Sequence, residues 1–431
     1  MSQHRPFLES ALRCGFAPGI VAKWGRGDPS TTEALGHAAV APAMAVTEDT
    51  WFDLASLTKP LATGVLSILA FRSGELTPET SVGEVLRETH GTPIADVTVS
   101  QLLTHTSGLP AWLPLYCLAE GRTRDVPQRL GEIGLEYAPG TKVVYSCIGY
   151  VTLGLMLSRV SGQKLDALFS ELVLAPMNLL GELGFRPDPS VHPLSGGAAE
   201  PRVELAAVSD IGLDPAWIPA TGLGLPDDGN ARFLGGISGN AGLFGTARGV
   251  FRVTREFLTP GGTILAPNEA NDATSCHTPG LQQARGFGWQ LAASPGCSAG
   301  PALSERAFGH TGFTGVSVWA DPTQSGVFVL LSNRNHPSQG RWTSIHCVAD
   351  STHLLHNRSD SLNSGESKIA PLLNRGELSA CRHLTEACQV RMVVRRLMAK
   401  RNARATGAQA PIIGGRISTS PSFPKSATRM K

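Results

Sequence analysis

Ser56, Lys59 and Pro60 crowd into the segment "TWFDLASLTKPLATGVLSILAF" that begins at Thr50. A serine and a lysine three residues apart lie on one face of a helical turn. A serine hydroxyl is a weak nucleophile at neutral pH and needs a base held against it. A lysine amine can be that base only when uncharged. Burial disfavours the ammonium, and the positive end of a helix dipole pushes the same way. The segment predicts both conditions. Leu61, Val65, Leu66, Ile68, Leu69 and Phe71 have helical spacing, and Pro60 fits only near a helix start, where backbone N–H groups lack intrahelical partners. The spacing thus predicts a helix that opens near Ser56, with Ser56 and Lys59 on its first turn. Taken alone, the segment fits an N-cap serine with a solvated lysine equally well.

Two further Ser-x-x-Lys matches and one Gly-x-Ser-x-Gly match compete with it. Ser161/Lys164 follows a helical pattern and precedes Gly162, which reads as a turn or cap serine. Ser422/Lys425 lies in a polar tail. "GCSAG" at 296–300 has "ASP" before it and Pro301 after it, whereas a nucleophile elbow needs a strand before and a helix after. Ser298 is therefore expected in a loop.

The elements that must hold Ser56 are partly legible. Arg5 to Cys14 reads as a short helix, Ile20 and Val21 centre a strand, and another strand is expected to run into Trp51. "GYVTLGLMLSRVSG" is a helix with Leu153, Leu157 and Val160 on one side. Val316 to Trp319 and Val327 to Leu331 flank an Asp-Pro…Gly turn, a hairpin pattern. Strands at both ends around a helical middle predict an α+β fold: one antiparallel sheet flanked by helices, with an inserted helical subdomain. The boundaries expected are a domain over 1–357, its sheet drawn from 1–55 and 236–357 and its helical part from 56–235. A basic, disordered tail over 358–431 follows. No internal repeat is visible.

Five segments in order resemble the serine β-lactamase and penicillin-binding-protein superfamily, in its branch of class C β-lactamases, D-aminopeptidases and family VIII carboxylesterases. They are "FDLASLTKPLATG", "DVTVSQLLTHTSGLP" (96–110), "YSCIGYVTLGLMLSRVSGQ" (145–163), "GGISGNAGLFGTA" (235–247) and "FGHTGFTGVSVWADP" (308–322). The resemblance implies the β-lactamase/transpeptidase fold and an acyl-enzyme mechanism. In it Ser56 is the nucleophile, Lys59 its base, and Tyr145 the tyrosine that shares the proton relay. Lys59 and Tyr145 both stay open as the first base. The backbone N–H groups of Ser56 and Phe313 would form the oxyanion hole, worth ~3–4 kcal/mol to a transition state. His310 stands where many relatives carry lysine, beside Thr311. A neutral imidazole still donates a hydrogen bond but attracts a carboxylate less than lysine would. Gly312 is expected to permit close substrate approach, and His105 to brace a loop. Cys147 stands where lactamases place asparagine. A thiol donates and accepts poorly, which disfavours lactam and peptide substrates more than esters.

The expectation is therefore a serine hydrolase of a small carboxylic ester, less readily of a β-lactam or D-amino-acid amide. A catalytically weak relative that binds a cell-wall fragment or a protein is the alternative. Composition is that of a globular protein, with 42% apolar and 17% charged residues and a net charge of +2. That balance conceals +10 from Ser361 onward against −8 before it. Within the basic end, "LTEACQVRMVVRRLMAKRNARA" has the pattern of an amphipathic helix suited to nucleic acid or an anionic membrane, though a solvated tail is the simpler reading. No nucleic-acid partner is expected. Eight cysteines show no metal-ligand spacing, the group Cys381, His383 and Cys388 included, so neither metal nor cofactor is expected. Neither a signal-peptide core nor a membrane-spanning run stands out, which makes the cytoplasm the expected location.

Overall fold

The computed structural model describes residues 4–27, 29–258 and 262–337. The expected tail and its basic helix lie outside the described residues. Seven strands form an antiparallel sheet in the order β3-β2-β1-β10-β9-β8-β7. They are β1 (Gly19–Gly25), β2 (Thr31–Val40), β3 (Ala43–Ala45), β7 (Gln290–Leu291), β8 (Phe308–Gly312), β9 (Val316–Asp321) and β10 (Gly326–Ser332). The fold class is as expected, α+β with the sheet drawn from both ends of the chain.

β1, β9 and β10 are buried almost throughout, as apolar strands covered on both faces must be. Their alternate side chains supply two separate cores. Ile20, Ala22, Trp24, Trp319, Phe328 and Leu330 pack with Leu8 of the N-terminal helix Arg5–Arg13. Val21, Val318, Val327, Val329 and Leu331 face the other way, into the core that holds Val250, Phe251 and Val253 of the helix Ala247–Arg255. That larger core continues into the helical region around Leu102, Leu103, Leu153 and Leu157.

One expectation needs correction. The strand that runs on from Trp51 does not join the large sheet. It is β4 (Phe52–Asp53), which pairs with β6 (Leu243–Gly245), itself paired with β5 (Leu183–Phe185). β5 of this three-stranded sheet comes from the 56–235 segment, expected to hold helices and loops. The effect of the sheet is local: β4 delivers the chain directly into the turn that carries Ser56.

Candidate active site

After β4 the chain enters a 3₁₀ turn, Ala55–Leu57, then a π-helical stretch, Lys59–Gly64, and becomes α-helical only over Val65–Ser73. The helix thus begins where the sequence places it, but its first turns are irregular. Pro60 lies in the opening turn of the π stretch, where its missing N–H costs nothing. Ala55 sits at φ +45°, in the left-handed region, which costs an L-residue ~1–2 kcal/mol. Its neighbours hold it there. The Ala55 N–H donates to Asp53 Oδ1 at 2.8 Å, and Thr58 Oγ1 donates to the Ala55 carbonyl at 2.6 Å.

Lys59 is completely buried. Its Nζ donates to Ser56 Oγ at 3.0 Å and to the Asn240 carbonyl at 2.9 Å, with Cys147 Sγ at 3.6 Å. The Tyr145 ring centroid lies 4.9 Å from the same nitrogen, and its phenol interacts electrostatically with Lys59. Tyr145 and Cys147 arrive together because the helix Cys147–Ser161 is capped by Ser146, whose Oγ accepts the Gly149 N–H at 3.0 Å and donates to the Pro110 carbonyl at 2.7 Å. His105 fixes the entry. Its Nδ1 accepts the Ser146 N–H at 3.1 Å, its carbonyl accepts the Val144 N–H at 2.9 Å, and its ring packs 4.6 Å from that of Tyr145. His105 thus braces its loop, as expected, and Tyr145 with it.

The electrostatics depart from expectation at Lys59. Burial pulls its pKa down, but Cys147 and Tyr145 pull it up, and the net shift is upward. Burial raises both Tyr145 and Cys147, partly offset by Lys59, so both remain protonated. His310 behaves in the opposite sense. Burial, then the charges of Lys59 and Arg285, push it down to about 3, so its imidazole is neutral. Its Nδ1 lies 2.7 Å from the Thr311 carbonyl and donates to it, which leaves Nε2 a bare acceptor, buried and without a protein partner.

His310, Thr311 and Gly312 end β8, and Phe313 opens the turn to β9. Phe313 is 46% exposed. Packing alone requires a glycine at 312. A Cβ there would stand 2.5 Å from Val316 Cγ2, 3.0 Å from the Leu54 carbonyl and 3.3 Å from the Ala55 Cβ. The close approach is between β8 and the turn leading to Ser56. Two decoys fall where the sequence put them: Ser161 Oγ accepts the Gln163 N–H at 3.2 Å in a helix-end turn, and Ser298 lies in a loop; Ser422 and Lys425 lie outside the described residues.

Three participants escaped the sequence. Asn240 is fully buried and offers Lys59 its carbonyl, while its side-chain amide donates to Asp228 Oδ2 at 3.1 Å. Arg285 is a buried guanidinium 6.0 Å from the Tyr145 ring centroid, with its Nη2 on Gln283 Oε1 at 2.6 Å. Asp53 is 7% exposed, and burial beside Asp227 raises its pKa to about 7. Only Asp53 left a visible signal, a lone carboxylate within the apolar run "WFDLA". Among the described residues no group of three or more His, Cys, Asp or Glu side chains could hold a metal ion. Nor is any described helix long and apolar enough to cross a membrane.

An antiparallel sheet against a helical region, with a serine–lysine pair at the first helical turn between them, defines a protein of the serine β-lactamase and penicillin-binding class. The Beta-lactamase family model matches residues 8–349, and the chain belongs to that family, one of hydrolases. Among curated relatives, a putative D-alanyl-D-alanine carboxypeptidase of Escherichia coli O157:H7 is 27% identical over 328 residues, 70% of this chain and 73% of that protein. An N-acetylmuramyl-L-alanine amidase of Bacillus subtilis (strain 168) is 29% identical over 322 residues, 67% of this chain and 68% of that one. Among solved structures, EstCE1, described as a hydrolase with promiscuous acyltransferase activity, superposes with a TM-score of 0.64 at 21% identity. It covers 81% of this chain and 97% of its own. A class C beta-lactamase superposes with a TM-score of 0.63 at 20% identity, covering 84% and 96%. Both share the fold.

Proposed function

We propose that this protein is a serine hydrolase that cleaves small carboxylic esters through an acyl-enzyme on Ser56. The observation that carries the reading is the 3.0 Å contact from the buried Lys59 Nζ to Ser56 Oγ, with Tyr145 against Lys59. Ser56 Oγ attacks the ester carbonyl carbon while its proton passes to the Lys59–Tyr145 pair. The backbone N–H groups of Ser56 and Phe313 receive the oxyanion. The pair returns a proton to the departing alkoxide, and a water repeats the sequence to release the acid. To take up the serine proton, the competent form of the pair must hold one proton fewer than ammonium with phenol.

The preference for esters rests on Cys147. Its thiol, 3.6 Å from Lys59 Nζ, cannot both donate to and accept from a substrate amide. An alkoxide leaving group asks less of the site than an amine. Against this, the curated relatives named as a carboxypeptidase and an amidase keep amide cleavage as the second reading. A fluorophosphonate probe is expected to label one serine, and Ser56→Ala to abolish labelling. Labelling that survives the substitution overturns the assignment. In a panel of short-chain aryl esters, a chromogenic cephalosporin and D-aminoacyl amides, the esters are expected to show the highest kcat/KM.

A further inference from the structure

We propose that Asp53 is a positioning residue that clamps together the two backbone turns carrying Ser56 and Phe313. The inference rests on the acyl-enzyme reading, and it concerns a side chain that substrate does not reach: Asp53 is 7% exposed, at the end of β4 behind the site. Three contacts place it. Its Oδ1 takes the N–H of Ala55, the residue before Ser56, at 2.8 Å and so holds Ala55 at its positive φ. Its main-chain carbonyl takes the hydroxyl of Thr314, the residue after Phe313, at 2.7 Å. Its Oδ2 takes the Asp227 N–H at 2.7 Å, which ties both turns to a third segment.

The two turns are in contact at Gly312, where even a methyl group would meet Leu54 and Ala55. Their spacing is set by a small number of hydrogen bonds, of which Asp53 makes one to Ala55 and one to Thr314. An oxyanion hole assembled from one N–H on each turn needs that spacing. A misplacement of ~1 Å can cost ~10²-fold in rate. A carboxylate is an expensive choice for a buried position, and among the described residues no lysine or arginine pairs with it. Once it is ionised, above its raised pKa of about 7, both of its oxygens accept backbone N–H groups, which an asparagine cannot reproduce, since one end of an amide is a donor.

The test compares D53N, T314V, T314S and the double variant D53N/T314V with wild type, using an aryl ester that wild type hydrolyses and the rate of fluorophosphonate labelling. Folding is checked by circular dichroism. D53N and T314V are each expected to lower kcat and the labelling rate by about 10- to 100-fold with KM changed less than about 3-fold. T314S, which keeps the hydroxyl, should retain wild-type kcat. The double variant should be no slower than the slower single variant, because the Asp53 side-chain bond to Ala55 and the Thr314 bond to its main-chain carbonyl act in series through one residue; independent packing defects would multiply. Should D53N fail to fold, T314V and T314S decide the matter. Folded D53N and T314V proteins with wild-type kcat, or losses confined to KM, overturn the proposal. A wild type that neither labels nor hydrolyses overturns the acyl-enzyme reading itself, a result distinct from labelling that depends on Ser56 but ignores Asp53.

Discussion

At the scale of single residues, the site holds its charge in an unusual distribution. His310 stands at the strand edge beside the nucleophile yet is neutral, since burial and then Lys59 and Arg285 hold it at about 3. It therefore does not titrate between pH 5 and 8, and His310→Gln should leave the shape of the pH–rate profile over that range unchanged, whatever its effect on the plateau. A limb near neutrality that vanishes in this variant would contradict the assignment. Lys59 and Tyr145 behave otherwise. Both are shifted upward, and the competent pair lacks one proton, so kcat/KM should climb as pH rises past neutrality; a profile already flat at pH 6 would contradict that. Cys147→Asn should move kcat/KM toward amides and lactams relative to esters by ~10-fold, the value of one hydrogen bond, as measured on the same substrate panel. The Ser56–Lys59 pair was legible because its geometry is local, three residues within one turn. Asn240 was not, and Asp53 showed only as a lone carboxylate in an apolar run, because their partners at 227, 314 and 59 are remote in the chain.

At the scale of elements, the site is a junction of β4, the irregular helix start and the end of β8. Gly312→Ala tests that junction. The added methyl must displace Val316 Cγ2 and press on the Leu54 carbonyl, an overpacking expected to cost ~1–3 kcal/mol, seen as a lower Tm and slower probe labelling. Unchanged values for both would show that the turns have slack. Elements with strong local chemistry were readable in advance. The β9–β10 hairpin shows two apolar runs about a turn, and the helix Cys147–Ser161 has its Ser146 cap and its Gly162 stop at φ +69°. β2 was not readable. "TTEALGHAAV" is mostly small and polar, and its burial does not alternate cleanly, so the strand exists because β1 needs a partner. β4, β5 and β6 are two or three residues long, too short for any periodicity, and exist through tertiary pairing alone.

For the molecule as a whole, Asp53 links the site to stability. Its folded pKa of about 7 exceeds the ordinary 3.8. Between about pH 4 and 7 the native state thus keeps a proton that the unfolded chain has released, and this group's contribution falls as pH rises. Asp53→Asn removes that contribution. Its unfolding free energy, followed by denaturant titration across this window, should rise with pH relative to wild type by up to about 1.4 kcal/mol per unit. Parallel curves for the two proteins would place the Asp53 proton elsewhere.

The sheet order carries a consequence for how the protein is made. β1 lies between β2 and β10, and its pairing with β10 joins Ile20 to Ser332 and Trp24 to Phe328. During synthesis β1 emerges early, with one edge open, and waits for some three hundred further residues before its partner leaves the ribosome. Such a nascent chain exposes an apolar edge to its neighbours. A chain released before Gly326 should therefore be recovered as insoluble material.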